Sequence, residues 1–443
     1  MTTPICDFVR RYAASGTLRL HMPGHKGTGA LGFEALDITE IDGADVLYSA
    51  EGIIAESQQN AAFLFGSGKT FYSCEGSSLS IRAMLCLARL WSGEERPLIL
   101  AARNAHKAFL SAATLLDLDV EWLSAESGSL LECRVDGKTL EKKLAAMEKK
   151  PAAVYITSPD YLGNTAPIAE LADVAHRFGA LLLVDNAHGA YLRFLPTSRH
   201  PLDLGADMCA DSAHKTLGAL TPGAYLHISK NAPEELGAQA MRAMELFATT
   251  SPSYLLLQSL DALNAELAGD FRARTAKCCE CVASLKETLA AQGFVLRGDE
   301  ELKVTLAPKS YGYTGGEVAQ YLRENGIECE FADPDFVVLM FTAALGEEAI
   351  LRVGEVLRAL EKRTAIDDAP PSPPQPKRAM RIREAMFAKS EVLPIGDCLG
   401  RVLAEANVSC PPAVPIIVVG EVIDEAAQRA LRYYGVTHCR VVK

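Results

Sequence analysis

The sequence predicts an α/β protein with a mostly parallel central sheet, a smaller α/β domain and a small C-terminal domain. Between about Phe71 and Ile228, short apolar runs alternate with amphipathic, helix-like segments. Continuous apolar runs separated by helices are typical of parallel strands that are covered on both faces. A second, shorter α/β pattern follows, and a proline-rich stretch sets the end of the chain apart.

Each element of the large domain is predicted from this alternation. The apolar runs predict five strands, at residues 98–101, 120–123, 153–157, 181–184 and 223–228. Helical periodicity predicts helices between them, such as those at residues 78–90 and 168–178. Because the ligands of such sheets bind beyond the carboxyl ends of the strands, site residues are expected where these runs end.

The flanking segments complete the predicted organisation. The smaller domain opens with a long helical pattern from residue 255 to about 292, followed by strand-like runs at 304–306 and 336–341. Five prolines within residues 367–378 favour an extended, semi-rigid linker. The predicted parts are an N-terminal arm with short helices (1–70), a large domain (71–250), a small α/β domain (251–366), the linker (367–378) and a C-terminal domain (379–443) that ends in a strand.

Composition and charge limit the classes of function. The chain has 443 residues, more than one hydrophobic core usually holds, and 49% are hydrophobic and 23% charged, as in globular proteins. A net charge of −12 argues against nucleic acid or an anionic membrane as a partner. No apolar stretch reaches the ~20 residues of a membrane span, and the first residues do not resemble a signal peptide. A cytoplasmic location is therefore expected.

The twelve cysteines do not predict a metal site. Their cluster, Cys278, Cys279 and Cys281, lies in a helix-like segment without a second cluster or histidines at zinc-binding spacing. We therefore expect reduced thiols and no metal.

Lys215 is the residue that most strongly indicates a chemistry. It ends the sequence Ser-Ala-His-Lys after a short apolar run, beside two residues that could serve an anion, Ser212 and His214. Asp185 ends another apolar run. Pyridoxal phosphate needs a lysine amine to form a Schiff base and a carboxylate to keep its ring nitrogen protonated. Lys215 and Asp185 therefore predict a site for pyridoxal 5'-phosphate.

Further residues suit the same cofactor. Gly76, Ser77 and Ser78 precede an apolar helical pattern, and free amides and hydroxyls at a helix start bind phosphate. His188 could reach the ring oxygen or the substrate carboxylate, and His106, after the 98–101 run, could stack on the ring face. Taken singly, each has an ordinary alternative: a serine helix cap, a buried core histidine and a surface loop.

Two other segments carry less information. Gly66-Ser67-Gly68-Lys69-Thr70 ends like a nucleotide-binding P-loop, but Phe63 stands where that motif requires its first glycine. The Thr-Ser-Pro-Asp-Tyr segment at residues 157–161 offers hydroxyls at a strand end, although a strand-ending turn explains it equally well.

The chain resembles the ornithine/lysine/arginine decarboxylase family, pyridoxal-phosphate enzymes with the aminotransferase-like fold of type I. The resemblance covers nearly the whole chain and is closest to the short members, which lack an amino-terminal receiver-like domain. The segments that carry it, in order, are Met22-Pro23-Gly24-His25-Lys26, the Asp-Asn-Ala-His-Gly box at Asp185, the Ser-Ala-His-Lys box at Ser212, Thr249-Thr250-Ser251-Pro252-Ser253-Tyr254, and Pro411-Pro412-Ala413-Val414-Pro415 with Gly420-Glu421.

The resemblance implies a role for each candidate residue. Lys215 would form the Schiff base, Asp185 would pair with the ring nitrogen, His188 would lie close to the ring and His106 would stack on it. The phosphate would be held by Gly76, Ser77, Ser78, Ser212 and His214. The 250–253 loop would approach the site of a neighbouring subunit, because the family builds its sites at a homodimer interface.

The implied activity is decarboxylation of arginine, lysine or ornithine to a polyamine or its precursor. Glu75 and Glu330 are candidate partners for the distal cationic group of the substrate. Asn186, Tyr191, Pro222 and Ala413 depart from the usual family sequence. The alternatives are another reaction of the same cofactor, such as transamination or a lyase step, and a cofactor-binding subunit with little activity.

Overall fold

The computed structural model describes residues 1–123, 129–406, 409–410 and 414–443, with the backbone alone described at 409–410. The chain divides into two compact units. Unit 1 comprises Met1–Glu94 and Leu181–Thr275, and unit 2 comprises Glu95–Ala180 and Ala276–Lys443. The division brings together segments that are distant in sequence. The five-part domain organisation drawn from the sequence remains a prediction.

Helices and strands alternate along most of the described chain. The helices are α1 Pro4–Ala14, α2 Ile53–Phe65, α3 Gly76–Ser92, α4 Lys107–Leu116, α5 Gly137–Ala145, α6 Ile168–Arg177, α7 Ala213–Thr216, α8 Glu234–Glu245, α9 Tyr254–Leu267, α10 Phe271–Gln292, α11 Gly315–Glu324, α12 Glu347–Arg358, α13 Ile382–Phe387 and α14 Glu425–Tyr433. The strands are β1 Lys69–Ser73, β2 Leu98–Ala102, β3 Asp119–Leu123, β4 Ala153–Thr157, β5 Leu181–Asp185, β6 Met208–Asp211, β7 Ala224–Ile228, β8 Val295–Arg297, β9 Lys303–Ala307, β10 Phe331–Ala332, β11 Val337–Met340, β12 Ser390–Pro394, β13 Ser409–Cys410, β14 Val414–Pro415 and β15 His438–Val442.

The central sheet has seven strands, four of them in unit 1 in the order β1-β7-β6-β5. Every residue of β5, β6 and β7 is buried, as expected for apolar runs covered on both faces. β5 and β6 are parallel, with Asp185 opposite Ala210. β7 is antiparallel to both β6 and β1. Helix α3 packs on β6 and β7, so its first turn lies at this part of the sheet.

Unit 2 contributes the other three central strands and two smaller layers. β4, β2 and β3 are parallel neighbours in that order. An antiparallel sheet follows in the order β10-β11-β9-β8, and β12 pairs antiparallel with β15 near the end of the chain. One apolar core joins these parts of the unit, with members such as Leu131, Val338, Ile417 and Val441.

The predicted strands are present, and the structure corrects the sequence interpretation at one helical segment. The strand predicted at 223–228 runs antiparallel to its neighbours, as a mostly parallel sheet allows. The helical pattern at 255–292 is two helices, α9 and α10, rather than one. Lys69 opens a strand, β1, instead of the helix that a P-loop lysine would begin. No helix in the described part of the chain has the length and apolarity needed to cross a membrane.

Candidate active site

Lys215 lies on the short helix α7, directly after the buried strand β6. Its backbone N–H donates to the carbonyl oxygen of Ser212 at 3.1 Å, and the N–H of His214 donates to the carbonyl oxygen of Gly223 at 3.1 Å. These bonds fix the turn that directs the side chain. Nζ of Lys215 lies 3.0 Å from Nε2 of His188. The structure thus brings together two of the residues that the sequence predicted to act in one site.

Asp185 is the last residue of β5, and His188 lies in the turn that follows the strand. Asp185 is 3% exposed and His188 is 5% exposed. Oδ1 of Asp185 accepts a hydrogen bond from the N–H of Ala187 at 3.2 Å, which closes the turn between the strand and His188. Since β5 and β6 are parallel neighbours, Asp185 and the segment that carries Lys215 leave the sheet at the same edge.

Two of the hydroxyls that are predicted to bind phosphate are hydrogen-bonded to each other. Oγ of Ser212 donates to Oγ of Ser77 at 2.9 Å, so the start of α3 and the start of α7 face each other. Gly76 is the first residue of α3 and has a φ of +74°, in the region that favours glycine. Ser78 follows in the same first turn, where backbone N–H groups lack helical partners. This set of donors suits an anion.

His214 completes this side of the site. Its Nδ1 lies 3.3 Å from Oγ1 of Thr221. Burial, followed by the positive charge of Lys215, holds the pKa of His214 below its usual value. A neutral imidazole can still donate one hydrogen bond to a phosphate oxygen.

His106 belongs to unit 2 and caps a helix. It is the N-cap residue of α4, where its Nδ1 accepts a hydrogen bond from the N–H of Ala108 at 3.1 Å. The bond fixes the orientation of the ring. Its predicted stacking on a cofactor stays a prediction.

The two acidic candidates for substrate binding already have hydrogen-bond donors. Oε1 of Glu75 accepts from the N–H of Thr249 at 2.5 Å, which ties Glu75 to the start of the 249–254 segment. Oε1 of Glu330 accepts from the hydroxyl of Tyr161 at 3.5 Å. A carboxylate has further lone pairs, so each could also accept from a substrate cation.

The positions that depart from the family sequence lie close to the candidate residues. Asn186 and Tyr191 are completely buried. Pro222 packs close to Gly76, since a Cβ built on that glycine would lie 3.6 Å from Cβ of Pro222. At the tail of the chain, Pro411, Pro412 and Ala413 lie outside the described residues.

Sequence reasoning missed a buried polar network next to this site. Asp211, the last residue of β6, accepts hydrogen bonds from Nδ2 of Asn186 at 2.8 Å and from Nε2 of His200 at 2.9 Å. Nε2 of His227 lies 3.5 Å from the same carboxylate. No spacing rule connects these residues. The available signal was the presence of an acid at the end of an otherwise apolar strand.

The residues present fit pyridoxal phosphate. The cofactor needs an amine for covalent attachment, an acid for its ring nitrogen and several donors for its phosphate. Lys215, Asp185 and the hydroxyl pair of Ser77 and Ser212 supply these three kinds of group within unit 1. The pair of hydroxyls, from two separate elements, is the observation that best matches a phosphate site.

Comparison with known proteins identifies the family. Residues 3–297 match the model of the Orn/Lys/Arg decarboxylase major domain, and residues 359–439 match the model of the C-terminal domain of the same family. The arginine decarboxylase of Bacillus subtilis strain 168 is 31% identical over 457 residues, which cover 96% of this chain and 91% of that protein.

Solved structures share the fold. The constitutive lysine decarboxylase of Escherichia coli superposes with a TM-score of 0.79 at 17% identity, over 100% of this chain and 82% of that one. The lysine decarboxylase of Francisella novicida gives the same TM-score at 16% identity, over 100% and 81%. The fold class and the family expected from the sequence are thereby confirmed. The chain belongs to the Orn/Lys/Arg decarboxylase family.

Proposed function

We propose that the chain is a pyridoxal-phosphate-dependent decarboxylase of a basic amino acid, and that Lys215 holds the cofactor covalently. Its family makes it a carboxy-lyase. The observation that carries the assignment of the site is the 3.0 Å contact between Nζ of Lys215 and Nε2 of His188. It joins an amine that can attach a cofactor to a group that can carry a proton.

Each residue has a distinct task in this proposal. Asp185 would pair with the ring nitrogen and favour its protonated form. The phosphate would be held by Gly76, Ser77, Ser78, Ser212 and His214, and His106 would stack on the ring. When bound, the cofactor supplies an electron sink for the bond that breaks at the α-carbon. Lys215 and His188 exchange a proton across 3.0 Å, so either can return it to the α-carbon.

Arginine is the first substrate to test. The Bacillus subtilis relative is named an arginine decarboxylase and covers nearly the whole chain. Lysine and ornithine follow as competitors, because their side chains also end in a cation. Glu75 and Glu330 remain the acidic side chains proposed to bind that end of the substrate.

The assembly and location are also proposals. A homodimer with sites at its interface would cover apolar side chains in the N-terminal segment of unit 1, where Leu18 is 79% and Leu20 is 83% exposed. The 250–253 loop would then approach the partner's site. A cytoplasmic location stays the expectation from the sequence.

The decisive experiment removes the amine. Lys215→Ala should abolish covalent attachment of pyridoxal phosphate, read by borohydride reduction and peptide mass spectrometry, and should abolish carbon dioxide release. Lys230→Ala, at an exposed position of unit 1, is the matched control and should keep both. Attachment that persists without Lys215 would refute the site.

Analysis of the reaction products identifies the substrate. Wild-type protein incubated with arginine, lysine or ornithine should release carbon dioxide and one amine, identified by mass spectrometry. Formation of a keto acid instead would indicate transamination. Cofactor attachment without turnover of any of the three would indicate a binding subunit.

A further inference from the structure

The network around Asp211 is a buried charge next to the proposed cofactor site. Asp211 is completely buried. Its Oδ1 accepts from Nδ2 of Asn186 at 2.8 Å, and its Oδ2 accepts from Nε2 of His200 at 2.9 Å. A buried carboxylate is costly unless it is paired and hydrogen-bonded, and both conditions are met here.

The surrounding groups keep this carboxylate ionised. Burial alone would raise the pKa of Asp211, but His200 and His227 outweigh it and hold that pKa well below its usual value. Nδ1 of His227 lies 2.7 Å from Oγ1 of Thr70. Burial lowers the pKa of His227. His200 is the closer partner of the carboxylate, at 2.9 Å against 3.5 Å for His227. The thiol of Cys209 also faces His200, at 3.9 Å from its Nε2.

The two residues joined by this network flank the proposed cofactor ligands. Asn186 directly follows Asp185, and Asp211 directly precedes Ser212. The N–H of Asn186 also donates to the carbonyl oxygen of Ala210 at 3.0 Å. The side-chain bond from Asn186 to Asp211 is therefore a second link between the end of β5 and the end of β6.

We propose that Asp211 is a positioning residue for the cofactor site, which sets the separation of Asp185 from Lys215 through its hydrogen bond to Asn186. The inference rests on the proposed function. Asp211 would act on two segments at once, the one that carries Asp185 and the one that carries Lys215.

The contacts explain why an acid is needed there. An asparagine at position 211 could still accept from Asn186, but it would offer His200 an amide in place of a carboxylate, and charge-assisted bonds are the stronger ones. The position of the β6 end would then be held less tightly. A change in the distance between Asp185 and Lys215 would alter the stability of the protonated ring nitrogen and that of the covalent link to the cofactor.

The test compares Asp211→Asn and Asn186→Ala with a control, Asp261→Asn. Asp261 is also completely buried in unit 1, where it accepts hydrogen bonds from Cys6 and Ser57 rather than from cofactor-site residues. Three quantities are measured: thermal stability, the dissociation constant of pyridoxal phosphate by equilibrium dialysis, and the pH midpoint of the absorbance of the bound cofactor.

We expect Asp211→Asn and Asn186→Ala to weaken cofactor binding by about 2- to 30-fold and to move the absorbance midpoint, because residues that act through a neighbour change coupling on this scale. Asp261→Asn should lower thermal stability while leaving both cofactor quantities unchanged. This pattern separates positioning from a general loss of packing. The two variants of the network should also act non-additively when combined.

Three results would overturn the inference. The first is a wild-type absorbance midpoint and cofactor affinity in both network variants. The second is an equal effect of Asp261→Asn. The third is a stoichiometric transition metal in purified protein, because the ligand atoms of His200, Cys209 and Asp211 lie within 4.8 Å of one another and could hold one. None of these results bears on the attachment of the cofactor to Lys215, which is tested separately.

Discussion

Nζ of Lys215 lies 3.0 Å from Nε2 of His188, although the two residues are 27 positions apart in the sequence. The contact forms because β5 and β6 are parallel neighbours and both residues follow the carboxyl ends of these strands. A hydrogen bond of this length allows a proton to pass between an amine and an imidazole. The proposed proton transfer therefore depends on both residues.

Replacing His188 should therefore slow turnover without releasing the cofactor. We expect His188→Asn to lower kcat by about 100-fold or more, the usual contribution of a general acid or base. Covalent attachment at Lys215 should persist, as judged by peptide mass spectrometry. The exposed His438 gives a control, since His438→Asn should leave kcat unchanged. A normal kcat in His188→Asn would remove the residue from the proposed chemistry.

The hydroxyls of Ser77 and Ser212 should contribute to cofactor affinity. Each variant, Ser77→Ala and Ser212→Ala, should weaken pyridoxal phosphate binding by about 10- to 150-fold, because a hydrogen bond to a charged group contributes about 1.5–3 kcal/mol. The measurement is equilibrium dialysis against the cofactor. It requires protein from which the bound cofactor has been removed.

Ser80 provides the matched control for the two serine variants. It lies one turn further along the same helix, α3, and its buried hydroxyl makes no hydrogen bond within the described residues. Ser80→Ala should leave the cofactor affinity unchanged. Equal affinities in all three variants would indicate that the phosphate is held elsewhere.

Much of the fold and the candidate site followed from local patterns in the sequence. Buried parallel strands read as continuous apolar runs, and residues at their carboxyl ends converge on one edge of the sheet. That rule predicts Asp185 and Lys215 at the same edge of the sheet, where Asp185 ends β5 and Lys215 follows the neighbouring strand β6. The helix start at Gly76 was likewise signalled by glycine and serine ahead of an apolar periodic segment.

The remaining features depend on relationships that a local pattern does not encode. An apolar run such as that of β7 has the same composition in either direction, so its antiparallel pairing was not visible. The break between α9 and α10 falls at Ala268-Gly269-Asp270, and a single glycine is tolerated within many helical patterns. The pairing of His200 with Asp211 joins a loop to a strand and has no sequence period.

Removing one partner of a buried ion pair should destabilise unit 2. Nη2 of Arg103 lies 2.7 Å from Oε2 of Glu421, and the two side chains are 16% and 7% exposed. Glu421→Gln leaves the arginine without its charge partner. We expect a loss of about 3–5 kcal/mol in the free energy of unfolding, measured by urea denaturation.

Two further variants test the Arg103–Glu421 pair: a double variant and a control in an exposed ion pair. Arg103→Met combined with Glu421→Gln should recover part of the loss, since no unpaired charge then remains buried. Glu328→Gln breaks the exposed pair with Arg323 and should change stability by at most about 1 kcal/mol. If Glu421→Gln also lowers the free energy of unfolding by at most about 1 kcal/mol, then solvent screens the Arg103–Glu421 pair.

Asp333 should make the stability of unit 2 depend on pH. Burial is the largest cause that raises the pKa of Asp333 from 3.8 to about 6, with the neighbouring Asp335 adding to it. A carboxyl with a raised folded-state pKa keeps its proton longer in the folded protein than in the unfolded chain. Its contribution to stability is therefore full below pH 3.8 and is lost as the pH rises through about 6.

Asp333→Asn should remove this dependence. Oδ1 of Asp333 accepts from the N–H groups of Asp335 and Phe336, at 2.7 Å and 2.6 Å, and an asparagine oxygen can accept both bonds. Above pH 6 the variant should be the more stable protein, by up to about 3 kcal/mol, whereas near pH 4 the two should converge. Thermal unfolding at half-unit steps between pH 4 and pH 7 measures the difference. Asp173→Asn makes the same change of charge at an exposed position, so a similar slope in that control would assign the effect to net charge rather than to the buried carboxyl.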